Sequence, residues 1–278
     1  MSHLVSAVRA SEEPTIARRG VSHAAFVGVS TLCFAVSATA TIVASTSMAA
    51  MGEMPMPGGW SLSAAWTPMC GQTWAGVAAS FIGMWIAMMV TMMLPSLVPM
   101  LWRYREVVGE AGSARLGRLT MLVGAGYFVV WTAFGIAAFA LGVALTSLAM
   151  AWPALARAVP AALGVVVLVC GALQFTAWKA RRLECCRAAP GHCRKLRADA
   201  GTAWRHGLRL GLRCSYCCAG LTVVLLVVGV MDLRAMALMT AAITGERLVP
   251  GGERVARVSG VVIVGAAVIL IVRAIGFV

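Results

Sequence analysis

Charged residues are scarce in this chain of 278 residues, at 12% of the total, whereas a soluble domain carries about 25%. Hydrophobic residues make up 60%, against about 45–50% in soluble domains, and the mean hydropathy is +0.87. This composition excludes a soluble catalytic domain and a disordered chain for most of the length. It predicts a protein that crosses the lipid bilayer several times.

Acidic residues and histidines are also few, with 10 Asp and Glu and 4 His. The sequence shows no Ser/His/Asp set, no glycine-rich phosphate loop and no carboxylate pair within an apolar run, so no catalytic residue is predicted. We leave open whether the chain is an enzyme, with the residue inventory against it. The net charge of +13 would indicate nucleic acid binding in a soluble protein. Here the arginines lie between apolar runs, where they set topology and meet anionic headgroups, so we expect lipid and no nucleic acid as the partner.

Apolar runs divide the chain into membrane-spanning segments. Six of them reach the roughly 20 residues needed to cross about 30 Å of hydrocarbon: residues 24–44, 74–101, 119–149, 159–178, 212–231 and 258–278. A shorter run at 233–249 is either a short span or a half-helix that returns. Because no water in the bilayer core can satisfy the backbone, all the runs must be helical. The fold class predicted is all-α, a polytopic transmembrane helix bundle with six to seven spans.

Lysine and arginine are unevenly distributed among the connecting segments. None lies between Ser45 and Thr73, whereas 102–118 has four and 179–213 has ten. The positive-inside rule places these two segments, and the arginines of 246–257, in the cytoplasm. The run at 233–249 must then cross, so we favour seven spans with a short sixth.

This distribution also predicts the organisation of the chain in a bacterial inner membrane. We expect a mobile tail at 1–20 and a single helical domain at 21–278, with a cysteine-rich basic cytoplasmic loop at 179–213. The N-terminus is cytoplasmic unless the first run is a cleaved signal peptide, since Ala38-Thr39-Ala40 resembles a cleavage site.

Sulfur is abundant, with 17 Met and 9 Cys, and a first group of methionines lies on the predicted outer side. Its members are Met48, Met51, Met54 and Met56. Thioethers are soft ligands that bind Cu(I) where thiols would oxidise. The spacing between Pro and Gly residues indicates metal capture, and the alternative is a loop whose methionines form its apolar face in the interface.

A second group forms a stripe on the second span. Met84, Met88 and Met92 recur every four residues and therefore share one face of a helix. Pro95 and Pro99 follow and free backbone carbonyls, which a membrane helix tolerates where a cavity or neighbours satisfy them. The stripe is either a set of Cu(I) ligands or packing.

Cysteines concentrate on the predicted cytoplasmic side. Cys214, Cys217 and Cys218 share one helix face near the start of the fifth run. Cys185, Cys186, Cys193 and His206 precede them in the basic loop. On the reducing side of a membrane these thiols favour Cu(I) ligation, with zinc as the alternative metal. Redox-active thiols and inert buried cysteines are the remaining interpretations.

Several motifs in fixed order carry a resemblance to a known family. They are Trp85-x2-Met88-Met89-x2-Met92-Met93-Leu-Pro95-Ser96-x2-Pro99-Met100, Gly207-x3-Gly211-x2-Cys214-x2-Cys217-Cys218, Gly229-Val-Met231-Asp232-Leu and Glu246-Arg247. From about Met54 to Arg257 the chain resembles the predicted metal-binding integral membrane proteins known as domain of unknown function 2182. The resemblance implies a helix bundle that binds metal, with no established reaction. Arg182 stands where the family pattern has Cys, and Asp232 stands where it has Asn.

Three functions are therefore weighed. The first is Cu(I) transport or trafficking from the outer Met-rich segment to the inner thiolates. The second is an accessory protein that delivers metal to another membrane enzyme without net transport, for which a metallochaperone or a membrane metalloenzyme would be the partner. The third, a membrane thiol oxidoreductase, is disfavoured because the outer segments offer only Cys70.

Overall fold

The computed structural model describes residues 2–50, 53–56, 60–63, 66, 68, 71–108, 113–187, 197–229 and 232–276, with the side chains of 2–22, 49–50, 53–55, 61–63 and 113 left aside. The all-α prediction is confirmed: eight helices and one small hairpin account for most of these residues. The elements are α1 (Ser2–Ala50), β1 (Glu53–Met56), β2 (Trp60–Ser63), α2 (Trp74–Val108), α3 (Ser113–Ala151), α4 (Pro153–Leu173), α5 (Ala177–Arg187), α6 (Ala200–Val228), α7 (Leu233–Leu248) and α8 (Gly252–Gly276).

Six of the helices are long and apolar enough to cross a membrane: α2, α3, α4, α6, α8 and the His23–Met48 part of α1. This agrees with a multi-pass membrane protein. Helix α7 has 16 residues and measures about 24 Å, less than the about 30 Å of a bilayer core. The seventh crossing therefore stays a prediction. The mobility predicted for 1–20 also stays a prediction, because the described side chains of α1 begin at His23.

The predicted loop at 179–213 is largely helical, which corrects its description as a loop. Helix α5 occupies its beginning, and α6 starts at Ala200, twelve residues before the apolar run at 212. Asp199 caps α6 by accepting a hydrogen bond from the backbone N–H of Thr202 at 2.8 Å. Hydrogen bonds from Thr202 lower the pKa of this carboxyl, which holds it ionised at the positive helix end.

Three basic connections meet at one end of the bundle, which we name the basic face. Arg103 of α2 donates to the carbonyl of Arg187, and Arg115 of α3 donates to the carbonyl of Ala198 at 2.6 Å. Arg187 also donates to the carbonyl of Val249, just after α7. The ends of α2, α5 and α7 and the beginnings of α3, α6 and α8 therefore lie together.

Close helix packing brings α3 and α6 side by side in parallel. A Cβ at Gly207 would overlap the carbonyl of Val123, and one at Gly211 would lie 2.9 Å from the carbonyl of Tyr127. Small residues four apart let two membrane helices approach at backbone distance. Helix α2 occupies the centre of the bundle, where the buried Trp85 indole donates to the carbonyl of Trp131 on α3 at 2.8 Å.

Candidate metal centre

The predicted thiol face of α6 is buried at the centre of the bundle. Cys214, Cys217 and Cys218 are all buried, and the sulfurs of Cys214 and Cys218 are 3.8 Å apart. The hydroxyl of Tyr127 on α3 donates to the Cys214 sulfur at 3.0 Å, which the close approach at Gly211 allows. The helical spacing of i, i+3 and i+4 has therefore placed three thiols on one interior surface.

Helix α5 adds a fourth thiol. Cys186 is buried, and its sulfur lies 3.1 Å from the carbonyl oxygen of Arg213. The hydrogen bond with Cys217, together with burial, raises the pKa of the Cys186 thiol, which donates to the Arg213 carbonyl. The neighbouring Cys185 is exposed and does not join the cluster. Cys193 lies outside the described residues.

A buried arginine, Arg247 near the end of α7, completes the cluster. Its guanidinium donates to the Cys214 sulfur at 3.1 Å, to the Met100 sulfur at 3.0 Å and to the Ser96 hydroxyl at 2.7 Å. Only 3% of the residue is exposed. The prediction that Arg247 is one of the loop arginines of 246–257 is wrong, because it lies on α7 inside the bundle. The preceding motif residue, Glu246, is buried with it.

An ion pair lies on the other side of the thiols. The ammonium of Lys179 on α5 donates to the Glu246 carboxylate and to the carbonyl of Cys217, both at 2.7 Å. Burial opposes the charge on Lys179, but the carboxylate outweighs it, and the net effect raises the pKa of Lys179. The charges of Lys179 and Glu246 cancel. Arg247 therefore carries the remaining fixed positive charge beside the thiols.

The methionine stripe of α2 is buried, and it ends at this cluster. Met84, Met88 and Met92 are all in the core, but so are Met89 and Met93, because α2 is surrounded on most sides. Met100 continues the series toward the basic face and contacts Arg247. Ser96 follows Pro95 directly, and its hydroxyl donates to the carbonyl of Met93 at 3.0 Å. Metal binding by the stripe stays a prediction.

The outer methionines lie at the opposite end of the bundle. Met48 packs against the core near the end of α1. Met54 pairs with Leu62 and Met56 with Trp60 in the β1–β2 hairpin. The Trp60 indole donates to the carbonyl of Ala156 on α4 at 2.9 Å, which ties the hairpin to the bundle. Met51 and Cys70 lie outside the described residues.

His206 is not brought to the thiols. It precedes Cys214 by eight residues on α6, a rise of about 12 Å, and its ring stacks on Tyr104 with centroids 5.4 Å apart. Within the described part of the chain, no three His, Cys, Asp or Glu side chains are arranged to hold one metal ion. A structural zinc site needs four such ligands, whereas soft thiolates in smaller number suit Cu(I).

Sequence reasoning found the four thiols but missed the polar groups around them. Lys179, Glu246 and Arg247 were visible as charges next to apolar runs, and the last two stood in a motif of the family resemblance. An ionisable residue inside a membrane bundle is the signal that marks such groups as functional.

Comparison with known proteins gives one family. Residues 82–270, more than half of the chain, match the family model PpoB2, described as copper chaperone. No curated protein and no solved structure matches the chain.

Proposed function

We propose that this chain, which belongs to the PpoB2 copper chaperone family, binds Cu(I) inside the membrane and passes it between the two ends of its helix bundle. Cys214 and Cys218, whose sulfurs are 3.8 Å apart, would hold the ion, with the thiols of Cys217 and Cys186 beside them, and the methionines of α2 lead to them. Copper is the cargo of this process. The family supports copper handling, and the route and the ligands are our own inference.

The observation that carries the proposal is a cluster of four buried thiols beside a cation, at the end of a methionine-bearing helix. Polar groups are rarely buried in a membrane bundle without a function. Thiolates bind Cu(I) more strongly than thioethers do, because the charged sulfur is the better donor to a soft cation. Cu(I) taken up by Met48, Met54 and Met56 would therefore move down a gradient of affinity past Met84, Met88 and Met92.

Delivery to another membrane protein without net transport is the second candidate. The family description as a copper chaperone favours it, since a chaperone hands its metal to a partner. The exposed Cys185, next to the buried Cys186, would suit ligand exchange with such a partner at the basic face. Uptake of Cu(I) by sealed vesicles that contain only this protein separates the two candidates, because only a transporter accumulates the ion.

Competition against a Cu(I) chelator under anaerobic conditions tests the binding site itself. The purified wild-type protein should retain copper, and the Cys214→Ser/Cys217→Ser/Cys218→Ser variant should lose at least one equivalent. The matched control is Cys33→Ser, because that thiol is exposed on α1, away from the cluster. An unchanged copper stoichiometry in the folded triple variant would show that these cysteines do not form the site. Metal analysis of the same samples decides between copper and zinc.

A further inference from the structure

Among the described residues, the buried guanidinium of Arg247 has sulfur and hydroxyl partners and no carboxylate partner. In the part of the chain that the structure describes, the one ion pair is Lys179–Glu246. Arg247 instead donates to Cys214, Met100 and Ser96. A buried cation is costly unless an opposite charge is near. Two of its partners are sulfurs that would face a metal ion bound in the cluster, so the arginine and the metal share one small volume.

Among the described groups around the thiols, Arg247 is the one whose charge is not cancelled by a neighbour. The pair of Lys179 and Glu246 is neutral as a unit, and Tyr127 and Ser96 carry no charge when they hydrogen-bond the cluster. Arg247 therefore contributes one fixed positive charge beside the thiols. This charge stabilises thiolates, and it repels any metal cation in proportion to the charge of that cation.

We propose that Arg247 is a specificity-determining residue that favours a monovalent soft cation, Cu(I), over a divalent one such as Zn²⁺. The inference rests on the proposed function. An ion bound to Cys214 lies within about 5 Å of the guanidinium, and at an effective dielectric constant of about 20 one extra unit of charge there costs about a hundredfold in affinity. Arg247 penalises the ion of higher charge more strongly, so its effect opposes the electrostatic preference of thiolates for a divalent ion.

The ratio of the two affinities is the property that reveals this role. Removal of Arg247 weakens the stabilisation of the thiolates and also relieves the repulsion of the metal, so the affinity for Cu(I) alone is a sum of opposing effects. The stabilisation of the thiolates enters both affinities, so the change in the Cu(I)/Zn²⁺ affinity ratio on removal of Arg247 reports mainly the difference in metal charge. A residue with a purely structural role would lower both affinities together and leave their ratio unchanged.

The test uses full-length protein purified in detergent, with Cu(I) and Zn²⁺ affinities each measured by chelator competition. Arg247→Gln should lower the Cu(I)/Zn²⁺ ratio at least tenfold, and Arg247→Lys, which keeps the charge, should stay within about threefold of wild type. Arg254→Gln removes an exposed arginine of α8 at the same face and is the matched control. Its charge is screened by water, so the ratio should not move.

A second variant keeps the test valid if Arg247→Gln does not fold. The guanidinium lies 2.7 Å from the Ser96 hydroxyl. Ser96→Asp would place a carboxylate beside it and neutralise its charge without removing it, so the ratio should fall in the same direction. An unchanged ratio in a folded Arg247→Gln or Ser96→Asp protein overturns the role of Arg247. The triple serine variant is a separate test. If it binds as much Cu(I) as the wild-type protein, the proposed function itself is refuted.

Discussion

Leucine substitution along α2 separates copper binding from packing. Leucine is close to methionine in volume, so such swaps in a core usually cost under about 1.5 kcal/mol. We expect Met88→Leu/Met92→Leu to lose copper accumulation in cells while thermal unfolding of the purified protein stays close to wild type.

Met89→Leu/Met93→Leu is the internal control for that experiment. Both residues are as deeply buried as Met88 and Met92, so the packing cost of the two double variants is matched. Their sulfurs belong to a different face of α2. Full copper handling by Met88→Leu/Met92→Leu would show that the stripe is packing. Loss of handling together with unfolding would point to packing as well, because it means that the helix depends on these side chains.

Spacing along the sequence predicted the thiol face but not its surroundings. Cys214, Cys217 and Cys218 share a face through helical geometry alone, so their convergence is a local property. His206 is on the same helix but about 12 Å away, a distance that the helical rise already indicates. Arg247 depends on where α7 returns in the bundle. Because that is a tertiary property, a residue count of the connecting segments could only assign it to a loop.

The geometry of the site depends on the close contact between helices α3 and α6. A Cβ at Gly126 would lie 2.9 Å from the carbonyl of Trp204, whereas one at Gly124, two residues earlier, would meet nothing within 4 Å. We expect Gly126→Ala to destabilise the protein by about 1–3 kcal/mol through overpacking, measured by thermal unfolding in detergent. Gly124→Ala is the control and should be neutral or slightly stabilising. Equal stability of the two variants would mean that the helices do not approach as closely as described.

Helix ends were harder to predict than helix centres. The hydropathy pattern locates the apolar part of α6 at 212, but the helix begins at Ala200 with an Asp199 cap, because charged residues such as Arg205 and Arg209 continue the same helix outside the apolar stretch. Helix α5 was missed for the same reason. Helix α7 was predicted from the short apolar run at 233–249. In the structure, Asp232 caps its start by accepting from the N–H groups of Arg234 and Ala235.

The positive-inside rule predicts that the basic face lies in the cytoplasm, which fixes the orientation of the protein in the membrane. We predict that an impermeant maleimide applied to intact cells labels a single-cysteine Cys70 protein and does not label a single-cysteine Cys185 protein. Cys185 is exposed on α5 at the basic face. Labelling after the membrane is opened is the control for its reactivity. Labelling of Cys185 in intact cells would reverse the topology, and with it the direction of the affinity gradient.

Single-cysteine Cys193 should behave as Cys185 does. It belongs to the same basic segment by sequence, although it lies outside the described residues. A different result for these two cysteines would mean that the segment between α5 and α6 does not stay on one side.

The hydrogen bond between Ser96 and Arg247 joins residues that are 151 positions apart. At about 5–20 residues per second, a ribosome needs about 8–30 s to make the second partner after the first. Cys218 precedes Arg247 by 29 residues, so the thiols of α6 are made about 1–6 s before their cation. The metal selectivity that we propose for Arg247 would therefore exist only once α7 has been synthesised and packed, and a nascent chain that meets metal earlier would meet it without this discrimination.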